Sequence, residues 1–345
     1  MKRSTVLTAL VSAAALLVAV SLASFSLAAP AVPTRTLELT AIAHVPAIPA
    51  GSHELRIWVP LPYKGPDAFQ TVSRLKIESP VPYRIDREPV YGDRYAYFVV
   101  KSPQGEKPFD IRLSFQIERF EHRVSLAPSG PPAPHVEVAR YLRRDRLVPI
   151  DGQIAQLAEE QTKGVTGPIA KARKIYDYVI ASMHYDHDGT GWGHGDAIWA
   201  CTAKHGNCTD FHSLFIGMAR AAGIPARFQI GLQLPADSHA GPIASYHCWA
   251  EFYVKGIGWI PIDASEAWKH RDKVDYFFGA IDTNRVMFSM GRDIRLHPAQ
   301  NGELLNYFVY PYAELDGKPF EGITHEASFR DDTAPAQPAV IATGH

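Results

Sequence analysis

The sequence predicts an α+β protein in which a small all-β, sandwich-like domain precedes a core of mixed helices and strands. Two observations support this class. Residues 33–125 contain short runs in which apolar and polar residues alternate, separated by turns that contain Pro or Gly, which is the pattern of antiparallel strands. Residues 136–275 instead combine helical apolar patterns with strand-like runs. The chain has 345 residues, 46% of them hydrophobic and 21% charged, which is enough for two domains.

An export signal is predicted at the N-terminus, in residues 1–28. Lys2 and Arg3 precede an uncharged, apolar run that covers residues 6–25, and small residues follow up to Ala28. This is the arrangement of a signal peptide, so we expect cleavage near Ala28 and a periplasmic or secreted protein. Because the apolar run is long, an uncleaved N-terminal anchor is the alternative. No later run is long and apolar enough to predict a membrane span after cleavage.

The all-β domain is predicted from five alternating runs, in residues 34–44, 52–59, 70–77, 95–101 and 109–120. A Pro-rich linker is predicted in residues 126–135. Beyond the core, residues 276–324 hold further strand-like runs, such as residues 305–310, and we assign them to a C-terminal β extension. Residues 325–345 have the composition of a disordered tail.

Three helices and three strands are predicted in the core. The helices cover residues 152–162, 168–183 and 208–222, and the strands cover residues 226–234, 246–254 and 258–263. The third helix is the best defined, because Asn207 can cap it with Asp210 three residues on, and because Gly223 and Pro225 end it. Residues 184–206 are rich in Gly, His, Asp and Trp and lack periodicity, so they are predicted to form a loop.

Cys208 is the first residue of that third helix. A thiolate at this position faces the unsatisfied N–H groups and the positive end of the helix dipole, which lowers the pKa of the thiol. During attack on an acyl group, the N–H of Cys208 could also help to hold the charge that develops on the carbonyl oxygen. On its position alone, however, a free cysteine is more often a small buried residue than a nucleophile.

A base and an orienting carboxylate are predicted in the hairpin that follows. Strands 246–254 and 258–263 are joined by a short turn that contains Gly. If the turn is centred on Lys255, then His247 and Asp263 are directly opposed on one face, with Cβ atoms about 4.5–5.5 Å apart. The carboxylate then holds one imidazole nitrogen and leaves the other for a thiol. Taken separately, the two residues would be a half-buried histidine and a turn residue, but together they favour a site.

The chain has three cysteines, Cys201, Cys208 and Cys248, so at least one thiol stays free or pairs elsewhere in an oxidising compartment. Cys248 alternates with His247 and should point to the opposite, apolar face. We therefore interpret it as a core residue or as a disulfide partner of Cys201, which would leave Cys208 free. The sequence does not decide between these two interpretations, since a disulfide requires a specific geometry.

Three blocks of the sequence resemble the transglutaminase-like superfamily. GNCTD at 206–210, with AGIPAR at 222–227, resembles the nucleophile helix of the family and the strand after it. YHCWAE at 246–251 and GWIPID at 258–263 resemble its histidine and aspartate strands. The resemblance covers about residues 140–270, the size of one domain. It implies a papain-like transglutaminase core in which Cys208 is the nucleophile, His247 the general acid/base and Asp263 the orienting residue.

From this resemblance we expect an exported thiol enzyme, a transglutaminase-like cysteine peptidase or amidase. It would cleave or transfer at amide bonds of a peptide or protein, a cell-wall peptide among them, through a thioester intermediate. Hydrolysis is favoured because water is always present outside the cell and no acceptor-amine site is visible. Protein-glutamine acyl transfer, which cross-links proteins, and a non-catalytic binding module that keeps the fold are the alternatives. The second oxyanion donor is not assigned among Trp192, Trp199, Tyr185 and Gln153.

No cofactor, metal or nucleic acid is expected. The formal net charge is -1 and no basic face is evident, which argues against nucleic acid. A zinc site is conceivable where histidines and aspartates cluster, but their spacing matches no compact ligand pattern, so a polar loop at the mouth of a cleft is favoured. The cluster comprises His184, His187, His194, His205, His212, Asp186, Asp188 and Asp196.

Five further residues and one loop are noted in the sequence. His212 lies four residues after Cys208 and could touch the thiol, but it ranks below His247 as the base because no orienting carboxylate is evident for it. Residues 235–242 are expected to form a loop that helps to select substrate. Trp249 and Trp259 could line the cleft or pack in the core. Arg285 and Arg292 flank a strand-like run and are given no role.

Overall fold

The computed structural model describes residues 32–65, 69–101, 107–127 and 138–332. The predicted signal peptide, most of the predicted linker and the end of the predicted tail therefore lie outside the described residues. Contacts group the described residues from Pro33 onward into one compact unit. The mixed helix and strand content confirms the predicted α+β class, with β structure preceding the helical core.

The described residues form eighteen strands and five α-helices. The strands are β1 (Thr34–Val45), β2 (Glu54–Pro60), β3 (Gln70–Glu78), β4 (Tyr83–Arg87), β5 (Arg94–Lys101), β6 (Phe109–Phe120), β7 (His122–Arg123), β8 (His184–Tyr185), β9 (His205–Gly206), β10 (Ala226–Gln233), β11 (Ala240–Pro242), β12 (Tyr246–Val254), β13 (Gly258–Ile262), β14 (Ala280–Ile281), β15 (Arg285–Met290), β16 (Tyr312–Leu315), β17 (Lys318–Pro319) and β18 (Thr324–Asp331). The helices are α1 (Gly152–Thr162), α2 (Pro168–Ser182), α3 (Ala197–Ala203), α4 (Cys208–Ala221) and α5 (Ala264–Lys269).

Two five-stranded sheets contain the N-terminal β region. Their strand orders are β11-β18-β1-β6-β3 and β17-β16-β2-β5-β4. The five predicted strands of this region are present as β1, β2, β3, β5 and β6, whereas β4 was missed because almost all of its residues are exposed. Apolar residues of both sheets join one buried cluster, for example Leu39 of β1 and Phe98 of β5.

Strands from the end of the chain complete both sheets. β18 pairs with β1, and β16 pairs with β2. The prediction of a disordered tail is therefore wrong for residues 325–331, which form most of β18. Without β18, the backbone groups at the outer edge of β1 would be unpaired. The alternation of apolar and polar residues typical of a strand is weak in β18, because most of its residues are exposed. The predicted domain boundaries at 125 and 276 stay predictions.

Residues 305–310 were also predicted as strand-like, and this is wrong. Leu305 forms only an isolated bridge with Ile294, and the strand of this segment begins later, at Tyr312. The aromatic residues of the run are instead half-buried or buried against other parts of the molecule. Their burial produced the apolar pattern that indicated a strand.

The core domain is built around α4. A four-stranded antiparallel sheet, in the order β13-β12-β10-β15, packs on one part of this helix, and α1, α2, α3 and α5 contact other parts of it. Every residue of α4 from Cys208 to Arg220 is buried. Because α4 is enclosed in this way, its first turn is held in a fixed position relative to β12.

The loop predicted for residues 184–206 contains more structure than expected. Helix α3 begins after Asp196, whose carboxylate accepts hydrogen bonds from the N–H groups of Ile198 and Trp199. Short strands β8 and β9 pair in parallel. A helix of seven residues is too short to show a periodic pattern among so many Gly and His residues.

The β12–β13 hairpin differs from the predicted register by two residues. Ala250 pairs with Ile262 and Val254 pairs with Gly258, so the turn is centred on Gly256 and not on Lys255. Asp263 consequently lies just beyond β13, as the N-cap of α5. A shift of two residues keeps each side chain on its face, which is why Asp263 still reaches His247, as described below.

No helix among the described residues is both long and apolar enough to cross a membrane.

Gly231 provides a test of the core sheet. It lies on β10 opposite His247, next to an irregularity in the pairing of β10 with β15. A Cβ at this position would overlap the backbone carbonyl of Val286. We therefore expect Gly231→Ala to lower the free energy of unfolding by ~3 kcal/mol, the upper range for overpacking, as measured by urea denaturation.

Gly256→Ala is the matched control, since nothing lies within 4 Å of a Cβ there and only its positive φ is unfavourable. It should cost about 1 kcal/mol. Equal stability of Gly231→Ala and the unchanged protein would contradict the close approach of β15.

Candidate active site

The start of α4 has the cap that the sequence predicts. The N–H of Thr209 donates to the side-chain oxygen of Asn207 at 2.9 Å, and the N–H of Asn207 donates to Oδ2 of Asp210 at 2.9 Å. These bonds fix the backbone on both sides of Cys208. The thiol of Cys208 is thereby placed at the positive end of the helix dipole, with only 2% of the residue exposed.

His247 and Asp263 form a hydrogen-bonded pair in the interior. Nε2 of His247 lies 2.7 Å from Oδ2 of Asp263, and the side chains are 1% and 0% exposed. The other carboxylate oxygen, Oδ1, accepts hydrogen bonds at 2.9 Å from the Ser265 hydroxyl and from the N–H of Glu266. Asp263 therefore both caps α5 and orients the imidazole.

The thiol of Cys208 lies beside the imidazole of His247, close enough for each group to shift the pKa of the other. Because Nε2 of His247 faces Asp263, its Nδ1 is the nitrogen left for the thiol. The structure thus brings together all three residues that the sequence predicts for the site. They come from three separate elements: the start of α4, the start of β12 and the cap of α5.

The electrostatics of this group favour a thiolate and an imidazolium. Burial by itself would raise the pKa of the Cys208 thiol, but hydrogen bonds from Cys248 and His247 and the positive charge of His247 hold it well below its usual range. Burial opposes a charged imidazole, but the charge and hydrogen bond of Asp263 raise the pKa of His247 to about 9. Despite burial, His247 and the nearby Arg285 keep the pKa of Asp263 well below its usual range.

Cys248 lies beside Cys208, but its thiol differs from that of Cys208 in protonation. Its Sγ is 3.5 Å from Nδ1 of His212 and it is fully buried, as expected for a core residue. Burial and the neighbouring Cys208 raise the pKa of the Cys248 thiol well above its usual range. All three cysteines are free thiols, so the Cys201–Cys248 disulfide that the sequence left open is not formed.

His212 is a second buried histidine near the thiol, and its role is structural. Its Nε2 accepts a hydrogen bond from the N–H of Ala264 at 3.1 Å, so its Nδ1 carries the proton and donates to the carbonyl of Cys208 at 2.7 Å. Burial lowers the pKa of His212, which keeps it neutral. Besides these backbone partners, the thiol of Cys248 lies 3.5 Å from its Nδ1 and Oδ1 of Asp263 lies 3.5 Å from its Nε2, so a carboxylate is near this histidine although the sequence showed none.

Asp210 and Arg292 hold a loop next to Cys208. The carboxylate of Asp210 accepts hydrogen bonds from the N–H groups of Gly193 at 2.7 Å and Gly195 at 3.0 Å. Arg292 donates to the carbonyls of His194 at 3.0 Å and Gly195 at 2.9 Å. Sequence analysis recognised only the capping role of Asp210 and gave Arg292 none, because the loop they hold is distant in the chain.

Tyrosines from β12 and from the segment before β16 cover the same region. Nδ2 of Asn207 donates to the hydroxyl of Tyr246 at 2.9 Å, and the N–H of Tyr246 donates to the hydroxyl of Tyr310 at 3.0 Å. The hydroxyl of Tyr307 donates to the carbonyl of Gly193 at 3.4 Å. The segment near residue 310 therefore contributes to the site, which its position in the sequence did not suggest.

The four residues considered as a second oxyanion donor each make other contacts in the structure. Nε2 of Gln153 donates to Sγ of Cys201 at 3.3 Å. The rings of Trp192 and Trp199 contact those of His187 and His205, with centroids 4.6 and 5.1 Å apart. Tyr185 is close enough to Cys208 for the thiolate charge to raise the pKa of its hydroxyl, although burial is the larger cause.

The histidine cluster is dispersed. His205 pairs with Asp186 at 2.7 Å, whereas His212 lies in the core. Among the residues that the structure describes, no group of three or more His, Cys, Asp or Glu side chains is placed to hold a metal ion. Of the two tryptophans noted in the sequence, Trp249 is buried, and Trp259 packs edge-on against Tyr141 with centroids 4.9 Å apart.

A cavity of about 500 Å³ lies at the end of the core sheet where β10 ends and β12 begins. Half of the predicted loop 235–242 contributes to its wall, as expected for a segment beside a cleft. Glu266 also lines it, and the N–H of Glu266 donates to Asp263. The cavity is lined by Gln233, Leu234, Pro235, Ala236, Asp237, Pro242, Ala244, Ser245, Glu266, His270, Lys273, Phe277, Asp282 and Asn284.

The charge state of Cys208 can be tested by alkylation. We expect iodoacetamide to modify Cys208 at about pH 6, where an ordinary thiol is almost entirely protonated. In His247→Gln the rate at this pH should fall at least tenfold, because the thiolate loses its cationic partner. Peptide mapping by mass spectrometry identifies the cysteine that reacts.

Cys248 is an internal control, because its raised pKa should leave it unmodified at the same pH. A reaction of Cys208 that only begins near the usual thiol pKa of about 8.5 would contradict the proposed ion pair.

Comparison with known proteins finds a matching family model and a relative in sequence. The model of the core domain of the transglutaminase-like superfamily matches residues 155–264, which include Cys208, His247 and Asp263. An uncharacterized protein of Haemophilus influenzae is 29% identical over 311 residues, which cover 79% of this chain and 84% of the relative.

The fold is also found in a solved structure. A candidate cysteine protease from Cytophaga hutchinsonii superposes with a TM-score of 0.59 at 15% identity, over 89% of this chain and 93% of the other. At this identity the likeness concerns the fold alone. Residues 155–264 of this chain are thus similar to the core domain of the transglutaminase-like superfamily, and the chain shares the fold of this solved structure.

Proposed function

We propose that this chain is an exported thiol enzyme that cleaves amide bonds of a peptide or protein, with Cys208, His247 and Asp263 as its catalytic triad. The observation that carries the proposal is the buried hydrogen bond between His247 and Asp263, with the thiol of Cys208 beside the imidazole at the start of α4. Export is inferred from the N-terminal 28 residues of the sequence. The similarity of residues 155–264 to the core domain of the superfamily is the context in which these residues are assigned their roles.

In the first half of the reaction, the sulfur of Cys208 attacks the carbonyl carbon of the scissile amide. The negative charge that develops on the oxygen is held in part by the N–H of Cys208, at the start of α4. The imidazolium of His247 then donates its proton to the departing nitrogen. The C–N bond breaks, an amine leaves, and the acyl group remains on Cys208 as a thioester.

In the second half, His247 acts as the base. It takes a proton from a water molecule, which attacks the thioester carbon. Cys208 leaves as a thiolate and a carboxylic acid is released, so the original ion pair is restored. Asp263 keeps the imidazole in the required orientation throughout and stabilises its positive charge.

Substrate must enter a site that is closed in this structure, since Cys208 and His247 are 2% and 1% exposed. The nearest cover is the loop held by Asp210 and Arg292, together with Tyr246 and Tyr307. We infer that substrate approaches from the cavity beside Glu266, at the same end of the sheet. The residues of loop 235–242 would then help to select it.

Hydrolysis is favoured over transfer because water is abundant outside the cell. One observation favours acyl transfer as a second candidate. The cavity carries the carboxylates of Asp237, Glu266 and Asp282 beside a single lysine, Lys273, and such a wall suits an amine acceptor. Protein-glutamine acyl transfer is therefore kept as the alternative, and a binding module without activity is the third outcome of the test.

Formation of the acyl-enzyme tests the proposal directly. We expect an activated ester to give a burst of one product molecule per enzyme molecule and a mass increase on Cys208. Cys208→Ala should abolish both, because the neighbouring thiol of Cys248, whose pKa is raised, stays protonated and does not attack the ester. Cys201→Ala is the matched control, since Cys201 is also buried but bonds to Gln153 away from the triad, and it should react like the unchanged protein.

Adding a primary amine then separates the two reactions. Hydrolysis predicts the free acid as product at all amine concentrations, whereas acyl transfer predicts the amide. Equal rates for Cys208→Ala and the unchanged protein, or no acyl-enzyme in either, would leave the binding module as the remaining interpretation.

A further inference from the structure

Arg285 is a buried cation in contact with Asp263. It is the first residue of β15 and is 1% exposed. Its Nη1 donates to Oδ2 of Asp263 at 2.6 Å, and the same oxygen accepts from Nε2 of His247 at 2.7 Å. Because both bonds end on the same oxygen, Nη1 of Arg285 and Nε2 of His247 lie close together. Two positive groups thus share one carboxylate oxygen.

The guanidinium of Arg285 is held from several directions. Its Nε lies 3.4 Å from the carboxylate of Asp282, and its central carbon lies 5.4 Å from the centroid of the Trp249 ring. The backbone of Arg285 pairs with Gln233 at the end of β10. A planar group fixed in this manner presents its N–H to Asp263 in one orientation.

We propose that Arg285 is a positioning residue for the Cys208–His247 pair. It fixes the Asp263 carboxylate beside His247 and, by sharing the charge of that carboxylate, weakens its attraction for the imidazolium. This inference rests on the proposed function of the triad. It assigns to the reaction a fourth side chain, from a strand that contributes none of the other three.

The physical reason is a balance of charge. If His247 were its only cationic partner, the buried carboxylate of Asp263 would stabilise the imidazolium more strongly and raise the pKa of His247 further. His247 must release its proton to the leaving group and take another from water, and such exchange is efficient when its pKa is near the working pH. A second cation on the same oxygen disfavours the imidazolium and so moves the pKa of His247 down toward that range.

Other charged groups also face this cluster. Around His247, α4 contributes Cys208 and His212, and α5 contributes Glu266. The groups near Arg285 include two of opposite charge, Asp282 and Glu266, and one of the same charge, Arg119 from β6. Arg285 is distinguished from Arg119 by its direct hydrogen bond to the oxygen that also binds His247.

The test is an NMR titration of His247 in protein labelled at histidine, with the signal assigned by its loss in His247→Gln. In the unchanged protein the midpoint should lie at about 9. In Arg285→Gln it should move upward by about one unit or more, as expected on losing a unit charge at this range. In Arg285→Lys the charge is kept but the fork of N–H donors is lost, so the midpoint should stay close to that of the unchanged protein.

Arg285→Lys has a second readout. Because a lysine cannot hold the carboxylate in the same plane, alkylation of Cys208 at about pH 6 should slow severalfold. Arg220→Gln is the matched control. Arg220 forms a buried ion pair with Asp145 at 2.7 Å at the far end of α4, so its loss should lower stability and leave both readouts unchanged.

An unchanged His247 midpoint in folded Arg285→Gln would overturn the proposal. If that variant does not fold, since it leaves Asp263 with one partner fewer, Arg285→Lys decides: an alkylation rate equal to that of the unchanged protein would overturn the proposal. Neither readout requires turnover. Failure of the unchanged protein to form an acyl-enzyme would instead reject the proposed function.

Discussion

The buried carboxylate of Asp263 is the constraint on which the rest of the site depends. Removal of a charge from water costs several kcal/mol unless partners replace the lost hydration. Four donors do so here: the imidazole of His247, the guanidinium of Arg285, the hydroxyl of Ser265 and the backbone N–H of Glu266. Because Asp263 remains charged, it can raise the pKa of His247, and the imidazolium in turn stabilises the thiolate of Cys208.

The fold supplies this constraint through two rigid elements. Helix α4 is enclosed by a sheet and four helices, so the thiol at its first residue cannot drift relative to β12. The β12–β13 hairpin then delivers the imidazole and the carboxylate to the same end of the sheet. Strands from the end of the chain complete the N-terminal sheets, and the segment that leads to them places Tyr307 and Tyr310 over the site.

Sequence reasoning found the three central residues because each is marked by a local pattern. The cap at Asn207 marks the start of α4, and alternation in two short strands puts His247 and Asp263 on one face. The predicted register was wrong by two residues, yet an even error preserves the face. Arg285, Asp210 and His212 were not given their roles, because their partners are backbone groups or side chains far along the chain. The strand β18 was taken for a tail since most of its side chains are exposed and polar.

The central claim is that Cys208 and His247 form an ion pair that Asp263 maintains. The most direct measurement is the ultraviolet absorbance of the thiolate, followed as a function of pH and compared with Cys208→Ala to isolate the signal. The account predicts one thiolate well below the usual thiol pKa, and its loss at neutral pH in Asp263→Asn, where the imidazole is no longer held as a cation. A thiolate signal that appears only near the ordinary thiol pKa, or that is the same in Asp263→Asn, would contradict it.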